Sequence, residues 1–213
     1  DIIVDRAFLN DRHSTALELT THGELAEVGL AAPHMVANVL AASALARAYG
    51  VEAGAVPSGL ATFRPDHHRI ETVAVDNGII WVDDSKATNP HAANAALAAF
   101  GSVVWIVGGL LKGVDIGSLV SSHASRLMAA IVIGSDRSEV VAAFARHAPD
   151  VPVFEVVAAE TENVMPEAVR LAAAVVKVGD AVLLAPAAAS MDQFTDYADR
   201  GARFASAVRE HLG

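Results

Sequence analysis

The architecture of this chain can be predicted from one run of residues, Ile79-Ile80-Trp81-Val82-Asp83-Asp84-Ser85-Lys86-Ala87-Thr88-Asn89-Pro90. Its first four residues are apolar, as in a buried strand, and an alanine-rich helical pattern follows in residues 91–100. Carboxylates, hydroxyls, an ammonium and an amide therefore cluster between a strand and a helix, where open α/β sheets place their ligands. Since a helix N-terminus offers free N–H groups and a positive dipole end, we expect a negatively charged ligand here.

The pattern around this run is typical of a mostly parallel sheet with helices on both faces. Candidate strands are residues 70–75, 79–82, 103–107, 130–133, 153–156 and 181–184. Candidate helices are residues 90–99, 116–125, 137–147, 165–177 and 193–211. Because Asp76-Asn77-Gly78 is a hairpin signal between the first two strands, one strand should be antiparallel. The predicted fold class is α/β, with a Rossmann-like sheet.

The first 65 residues show a different pattern. Candidate elements are strands 2–4 and 16–19, turns at Gly23-Glu24 and Gly29, and helices 33–49 and 53–62. Phe63-Arg64-Pro65-Asp66 breaks this pattern, so we place a domain boundary there and expect domains 1–65 and 66–213. Because the chain opens in what resembles the middle of a β-rich segment, we expect it to be the C-terminal part of something longer.

Composition excludes several classes of function. The 213 residues carry a formal net charge of −10, with 25 acidic against 15 basic residues, which argues against nonspecific binding to nucleic acid or anionic membrane. With no cysteine there is no disulfide, thiol nucleophile or cysteine-ligated metal, and a cytoplasmic location is expected, although a chain without cysteine fits any compartment. The longest run without Asp, Glu, Lys or Arg, residues 87–111, is interrupted by Pro, Asn and Gly, so no membrane span is predicted.

Polar clusters follow three of the predicted strands. The second cluster is the Gly-Gly-Leu-Leu-Lys-Gly run at residues 108–113, and the third occupies residues 185–194. If the three strands are parallel, the clusters lie along one edge and form one cleft. The side chains expected to converge there are Lys86, Thr88, Lys112 and Ser190. Two ammonium groups and two hydroxyls suit a ligand with two carboxylates.

Each of these residues also has an interpretation without ligand binding. Paired glycines often make only a tight turn, and Lys112 alone would be a solvated surface residue. Ser190 and Asp192 could simply cap the following helix. The occurrence of such clusters at three strand ends together favours a binding site.

Two histidine-containing segments are further candidates. His67-His68-Arg69 matches no usual set of metal ligands, so no protein-bound metal is predicted. An imidazole and a guanidinium at a domain boundary suit stacking on a base and contact with phosphate better. His34 and Asn38 lie four residues apart on one helix face, where buried polar packing is the favoured interpretation in the absence of further context.

Four motifs in order give the chain a family resemblance. They are Asp84-Ser85-Lys86-Ala87-Thr88-Asn89-Pro90, the 108–113 run, Leu-Leu-Ala-Pro-Ala-Ala-Ala-Ser-Met-Asp-Gln-Phe at 183–194, and Arg200-Gly201-x-x-Phe204. Together they resemble the bacterial Mur ligase family, most closely its D-glutamate-adding members, over essentially all 213 residues. The resemblance implies the family's C-terminal ligase domain, preceded by the tail of its central ATPase domain.

The resemblance also implies a reaction. The family uses ATP to phosphorylate the carboxylate of UDP-N-acetylmuramoyl-L-alanine, and the amine of D-glutamate then attacks the acyl phosphate in peptidoglycan synthesis. By motif position, the residues expected to contact D-glutamate are Lys86, Thr88, Lys112, Ser190 and Tyr197, and Lys86 is also the expected catalytic residue. The residues expected to contact ATP are Asn38, His68, Arg69 and Asp84. Ligands for Mg²⁺ are expected mainly in the rest of the central domain.

Two departures from the family pattern limit these expectations. Met35 stands where the family's His-Asn-x-x-Asn motif has its first asparagine, and a thioether cannot donate or accept hydrogen bonds to adenine as that amide does. The chain also contains no Gly-Lys-Thr phosphate-binding loop and no UDP-binding domain, so we expect no ligase activity from this polypeptide alone. Alternatives are a folylpolyglutamate synthase-like glutamate ligase and a non-catalytic module that binds an acidic ligand or a nucleotide.

Overall fold

A computed structural model describes residues 1–31, 33–64 and 66–213, apart from the side chains of Pro33 and His34. The chain forms two compact units, Asp1–Pro65 and Asp66–Gly213. None of the helices in the described part of the chain is both long and apolar enough to cross a membrane.

The described residues of the first unit form a two-stranded antiparallel sheet and three helices. Its elements are β1 (Ile2–Asp5), β2 (Leu17–Thr21), α1 (His22–Glu27), α2 (Pro33–Ala48) and α3 (Ala55–Thr62). The buried core of this unit is small and is formed by Leu25, Leu30 and Val39.

The expectation of only strands and turns in residues 1–30 was wrong at α1. The hydroxyl of Thr21 accepts a hydrogen bond from the Glu24 N–H (3.1 Å), and the Glu24 carboxylate accepts one from the Thr21 N–H (2.8 Å). This reciprocal pair is a capping box, which satisfies free N–H groups at a helix N-terminus. The helix therefore begins where a turn was expected.

The second unit contains a six-stranded sheet. Its elements are β3 (Glu71–Asp76), β4 (Ile79–Asp83), α4 (Pro90–Ala98), β5 (Val103–Gly108), α5 (Gly117–His123), a 3₁₀ turn (Ala124–Arg126), β6 (Leu127–Ile133), α6 (Ser138–His147), β7 (Val153–Glu155), α7 (Thr161–Val175), β8 (Ala181–Leu184) and α8 (Tyr197–Leu212). The strand order is β3-β4-β8-β5-β6-β7. Only the β3–β4 pair is antiparallel among these strands, so the predicted fold class is confirmed.

The central strand β5 shows how the two helical layers are built. All six of its residues are buried, and the first five alternate between two cores. Trp105 and its neighbours at i±2 pack with α4, α5 and α6, whereas Val104 and Ile106 pack with α7 and α8. Because successive strand residues point to opposite faces, a continuous apolar run in a parallel strand indicates helices on both sides.

The starts of two helices differ by four residues from the predicted ones. Helix α8 begins at Tyr197 rather than at residue 193, because the Asp196 carboxylate caps it by accepting from the Asp199 N–H (2.8 Å). Helix α7 begins at Thr161, four residues before the predicted start, and contains Pro166. Because a proline lacks an N–H, Pro166 removes one helical hydrogen bond. Buried apolar residues of α7 before and after it, such as Met165 and Ala168, keep the helix continuous.

Candidate functional site

Three loops meet at one edge of the sheet. We call them the β4 loop (residues 84–89), the β5 loop (109–113) and the β8 loop (185–194). Strand β8 pairs in parallel with both β4 and β5, so the carboxyl ends of the three strands are adjacent. Backbone hydrogen bonds join the loops: the Ala187 N–H donates to the Ala87 carbonyl (2.9 Å), and Leu110 and Ala189 exchange two bonds (2.9 and 3.1 Å). The prediction that the three clusters share one edge is confirmed.

The β4 loop is held by its own polar residues. The Asp83 carboxylate accepts from the Ser85 N–H (2.9 Å), and the Asp84 N–H donates to the Leu184 carbonyl (2.8 Å). The Asn89 side chain caps α4 by accepting from the Ala92 N–H (3.0 Å). Strand, loop and helix start are therefore fixed together, as a preformed site requires.

Lys86 lies beside an aspartate and an aromatic ring. Its ammonium donates to the Asp66 carboxylate (2.9 Å) and lies 5.4 Å from the centroid of the Tyr197 ring. The hydrogen bond to Asp66 raises the pKa of Lys86, and the same bond lowers the pKa of Asp66. Thr88 is half-buried two residues further along, and its N–H donates to the Lys86 carbonyl (2.8 Å).

Lys112 lies in the β5 loop and is exposed, with a left-handed backbone (φ 56°). It lines a cavity of about 310 Å³ together with other residues of the β5 loop and with Ser135, Asp136, Glu139 and Asp192. The two lysines therefore have different surroundings: Lys112 lines this cavity, whereas Lys86 lies beside Asp66 and Tyr197. The convergence of Lys86, Thr88, Lys112 and Ser190 on one ligand stays a prediction.

Ser190 and Asp192 do not cap the following helix, because Asp196 does. Ser190 is buried, and its carbonyl accepts from the N–H groups of Gln193 and Phe194. The Asp192 carboxylate instead accepts from the Ser135 N–H (2.9 Å). The β8 loop therefore also holds the turn that follows β6, and the interpretation of these two residues as helix caps was wrong.

His68 forms a close pair with a buried carboxylate. Its Nδ1 lies 2.7 Å from Asp83 Oδ2, and its backbone is left-handed (φ 63°), which is costly for a residue with a side chain. Helix α8 approaches this pair through Gly201, since a Cβ at that position would lie 2.7 Å from the same Asp83 oxygen and closer still to His68. The pair is therefore held by packing from a distant part of the sequence.

Arg69 and Asp84 provide opposite kinds of polar group near His68. The Arg69 side chain is 57% exposed, with its Nε 3.7 Å from Asp66, so its guanidinium is open to an anionic ligand. Asp84 is 7% exposed, and burial raises its pKa to about 7, against the effect of a hydrogen bond from the Ile70 N–H (3.2 Å). Part of the Asp84 population is consequently protonated at neutral pH.

Asn38 belongs to α2, in the first unit, and its side chain is exposed. The interpretation of Asn38 as a buried packing residue was therefore wrong. Met35 is half-buried and packs against the small core of that unit. The side chain of His34 lies outside the described residues.

One group of three possible metal ligands occurs within the described ranges: His68, Glu71 and Asp83. These groups already bond to one another, through His68 Nδ1 to Asp83 and through the His68 N–H to the Glu71 carboxylate (2.9 Å). Mg²⁺ requires oxygen ligands in near-octahedral geometry and usually keeps several waters. A mixed nitrogen and oxygen set engaged in this way does not fit Mg²⁺.

Arg200 belongs to the fourth of the family motifs but is not among the predicted site residues. Its side chain is fully buried in α8 and donates to Ser85 of the β4 loop and to Ala188 of the β8 loop. Only its position within a helical apolar pattern could have indicated burial, because its partners lie 12 and 115 residues away in the sequence.

Comparisons with known proteins agree with this arrangement. The model of the family described as "Mur ligase, glutamate ligase domain" matches residues 68–188. The UDP-N-acetylmuramoylalanine–D-glutamate ligase of Leifsonia xyli subsp. xyli is 66% identical over 212 residues, covering 100% of this chain and 41% of that protein. The ligase of the same name from Streptomyces avermitilis is 54% identical, covering 98% and 44%. The chain therefore spans less than half the length of these curated relatives.

A solved structure shares the fold at low sequence identity. A pseudomurein peptide ligase type C from Methanothermus fervidus matches with a TM-score of 0.62 and 16% identity, covering 93% of this chain and 38% of that one. At this identity the match supports the fold alone.

Proposed function

The chain belongs to the family of Mur ligase glutamate ligase domains, and we propose from this premise that it holds the amino acid in a longer, ATP-dependent ligase. The proposed reaction adds D-glutamate to UDP-N-acetylmuramoyl-L-alanine. The observation that carries the proposal is the match, over essentially the whole chain, to relatives named UDP-N-acetylmuramoylalanine–D-glutamate ligase. The three loops with their two lysines at one sheet edge support it, because a dicarboxylate needs cationic partners there.

The proposed chemistry has two steps. ATP transfers its terminal phosphoryl group to the carboxylate of the UDP-sugar peptide, giving an acyl phosphate and ADP. The amine of D-glutamate then attacks the acyl carbon: a C–N bond forms, the C–O bond to phosphate breaks, and the amine loses a proton. Orientation of the two bound reactants can lower such a barrier by several kcal/mol.

The described side chains suit particular parts of these reactants. Lys112 would bind one carboxylate of D-glutamate at the mouth of its cavity. Lys86 and Thr88 would face the acyl phosphate and the amino acid, where an ammonium offsets the charge of two anions. Ser190 and Tyr197 would complete the contacts to the amino acid from the β8 loop and the first turn of α8.

The proposed nucleotide contacts in the second unit are Arg69, which would contact phosphate, and His68 and Asp84 beside it. Asn38 is proposed separately as a nucleotide contact of the first unit. We propose that residues 1–65 are the remnant of a central ATP-binding domain and 66–213 the amino-acid-binding domain. The Mg²⁺ that such a ligase would use needs ligands from elsewhere, because the described donor cluster does not fit it. With nucleotide and UDP-sugar substrates, a cytoplasmic location follows for the whole enzyme.

The first experiment is calorimetric titration of this chain with D-glutamate, L-glutamate and D-aspartate. We expect weak binding that is selective for D-glutamate and is lost in Lys112→Ala. Lys177→Ala is the matched control, because Lys177 is also an exposed lysine but lies between α7 and β8, before the strand rather than after it.

Turnover provides the second test. Given UDP-N-acetylmuramoyl-L-alanine, ATP and D-glutamate, the full-length ligase should form the amide product with release of ADP and phosphate, and this chain alone should not. Full-length enzyme that uses L-glutamate on a folate substrate instead would replace the proposal with the folylpolyglutamate synthase alternative. Binding by full-length enzyme without any turnover would favour a non-catalytic module.

A further inference from the structure

The guanidinium of Arg200 is the point at which two of the three loops are joined to helix α8. Its Nε donates to the Ser85 hydroxyl (2.9 Å), and one terminal nitrogen donates to the Ser85 carbonyl (2.8 Å). The other terminal nitrogen donates to the Ala188 carbonyl (3.2 Å). The Ser85 hydroxyl in turn donates to the Tyr197 carbonyl (2.7 Å), so the first turn of α8 belongs to the same network.

The third loop passes the same side chain. A Cβ on Gly109 would lie 3.4 Å from an Arg200 terminal nitrogen, and the left-handed backbone of Gly109 (φ 125°) also brings it against the Ala189 carbonyl. The Ala189 carbonyl, 2.4 Å from such a Cβ, is what requires glycine at position 109, and the β5 loop there passes within van der Waals distance of Arg200. Arg200 thus lies where the β4, β5 and β8 loops meet.

Arg200 cannot itself be an anion ligand in this arrangement, because its side chain is 0% exposed. Its three acceptors are a hydroxyl and two carbonyls, and Asp83 and Asp192 act on it as more distant negative charges. Burying a charge in this way is costly, and an apolar side chain of similar volume often gives equal or greater stability. We therefore interpret the buried Arg200 as a residue that fixes the positions of the loops rather than one that stabilises the fold.

The bonded residues adjoin the residues proposed to contact D-glutamate. Ser85 directly precedes Lys86, Ala188 lies two residues before Ser190, and Tyr197 lies one turn before Arg200 on α8. A planar guanidinium with donors in a fixed fork sets the distance between its acceptors, which a flexible ammonium does not. A change at Arg200 would therefore alter the spacing of side chains that it does not touch.

We propose that Arg200 is a positioning residue for D-glutamate, which sets the spacing between the β4 loop with Lys86 and Thr88 and the β8 loop with Ser190. The identity of the ligand rests on the proposed function. The joining of the loops by Arg200 does not, so the two can be tested separately.

The experiment compares four single variants of this chain and one double variant. Arg200→Met replaces the fork by an apolar chain of similar length, Arg200→Lys keeps the charge without the fork, and Ser85→Ala removes the shared hydroxyl. Phe204→Leu is the matched control, since Phe204 is fully buried one turn further along α8 but packs in the apolar core. Urea unfolding identifies conditions under which each variant is folded.

Hydrogen exchange tests the joining of the loops without any ligand. The amides of Lys86 and Ala187, which donate to the His68 and Ala87 carbonyls, report on the β4 and β8 loops. In Arg200→Met they should exchange about 10-fold faster, while amides of β5 stay unchanged. In Phe204→Leu the two loop amides should exchange as in the parent chain. Equal exchange of the loop amides in Arg200→Met and Phe204→Leu would overturn the proposal.

Titration with D-glutamate tests the consequence for binding. We expect Kd to rise about 10-fold in Arg200→Met, less in Arg200→Lys, and no further in the Arg200→Met, Ser85→Ala double variant, because both residues act in one network. An unchanged Kd in Arg200→Met would overturn the positioning role in binding. If the parent chain itself binds no D-glutamate, the proposed function fails in this chain, and loop exchange alone decides whether Arg200 joins the loops.

Discussion

The ammonium of Lys86 is bonded to the carboxylate of Asp66 at 2.9 Å, and the Asp66 side chain is 68% exposed. Asp66 is thus bonded to the same ammonium that is proposed to contact D-glutamate and phosphate. An anionic ligand must therefore compete with Asp66 for Lys86. Because the aspartate is solvent-exposed, the pair itself contributes little to stability.

Asp66→Asn should tighten the binding of D-glutamate. Because an exposed ion pair competes only weakly, the expected gain in affinity is up to about 5-fold. Calorimetric titration measures it directly. Asp150→Asn is the control, because it removes the same charge from an exposed position after α6. An equal gain in both variants would mean that net charge, rather than competition for Lys86, limits affinity.

Gly201→Ala should destabilise the second unit. The added methyl would lie 2.7 Å from Asp83 Oδ2 and closer to His68 Nδ1, so the buried His68–Asp83 pair must open or α8 must shift. Overpacking of this kind costs about 1–3 kcal/mol. Urea unfolding followed by the fluorescence of Trp81 and Trp105 reports on this unit, where both are buried.

The control for this substitution is Gly101→Ala. A Cβ at Gly101 would meet no atom within 4 Å, and its backbone is not left-handed. We expect its free energy of unfolding to change by no more than about 0.5 kcal/mol. Similar losses in the Gly101→Ala and Gly201→Ala variants would show that the contact with the His68–Asp83 pair is not the cause.

The raised pKa of Asp84 predicts a pH dependence of stability. Burial raises the folded-state pKa from 3.8 to about 7, so between these values the folded state binds more protons than the unfolded state. Stability contributed by this group is therefore greatest below pH 4 and is lost as pH rises toward 7. A single such group changes the free energy of unfolding by at most about 1.4 kcal/mol per pH unit.

Asp84→Asn should flatten this dependence, since an amide does not titrate but keeps the acceptor for the Ile70 N–H. Urea unfolding of both proteins at pH 5, 6, 7 and 8 gives the difference in slope. Some slope should remain, because burial also raises the pKa of Asp83. Parallel stability curves for the two proteins would contradict the assignment of a raised pKa to Asp84.

The elements of the second unit could be predicted because their signals are local. Apolar runs such as Val103–Gly108 identify buried strands, and the proline after Asn89 marks a helix start. The predicted parallel arrangement also placed the three polar loops at one edge. Helix α1 shows the limit of this approach. Thr21 and Glu24 have the spacing of a capping box, but the nearby glycines led to the prediction of turns instead of a helix.

The contacts within the site could not be predicted in the same way. The last strand, β8, lies between β4 and β5, and nothing in its own residues specifies those neighbours. The pairing of Arg200 with Ser85 depends on this order, since Ser85 follows β4 and the helix that carries Arg200 follows β8. Burial of a charged side chain is likewise a property of the assembled fold.

We expect the ring of Tyr197 to keep the Lys86 ammonium in place when a ligand replaces Asp66. A ring face 5.4 Å from an ammonium stabilises the cation modestly at a partly exposed position. Tyr197→Ala should therefore weaken D-glutamate binding by about 2- to 5-fold. Tyr197→Phe should change it little, because the ring remains. Tyr49→Ala is the control, since Tyr49 is 92% exposed in the first unit. Equal weakening in Tyr197→Ala and Tyr197→Phe would assign the effect to the phenolic hydroxyl instead of the ring.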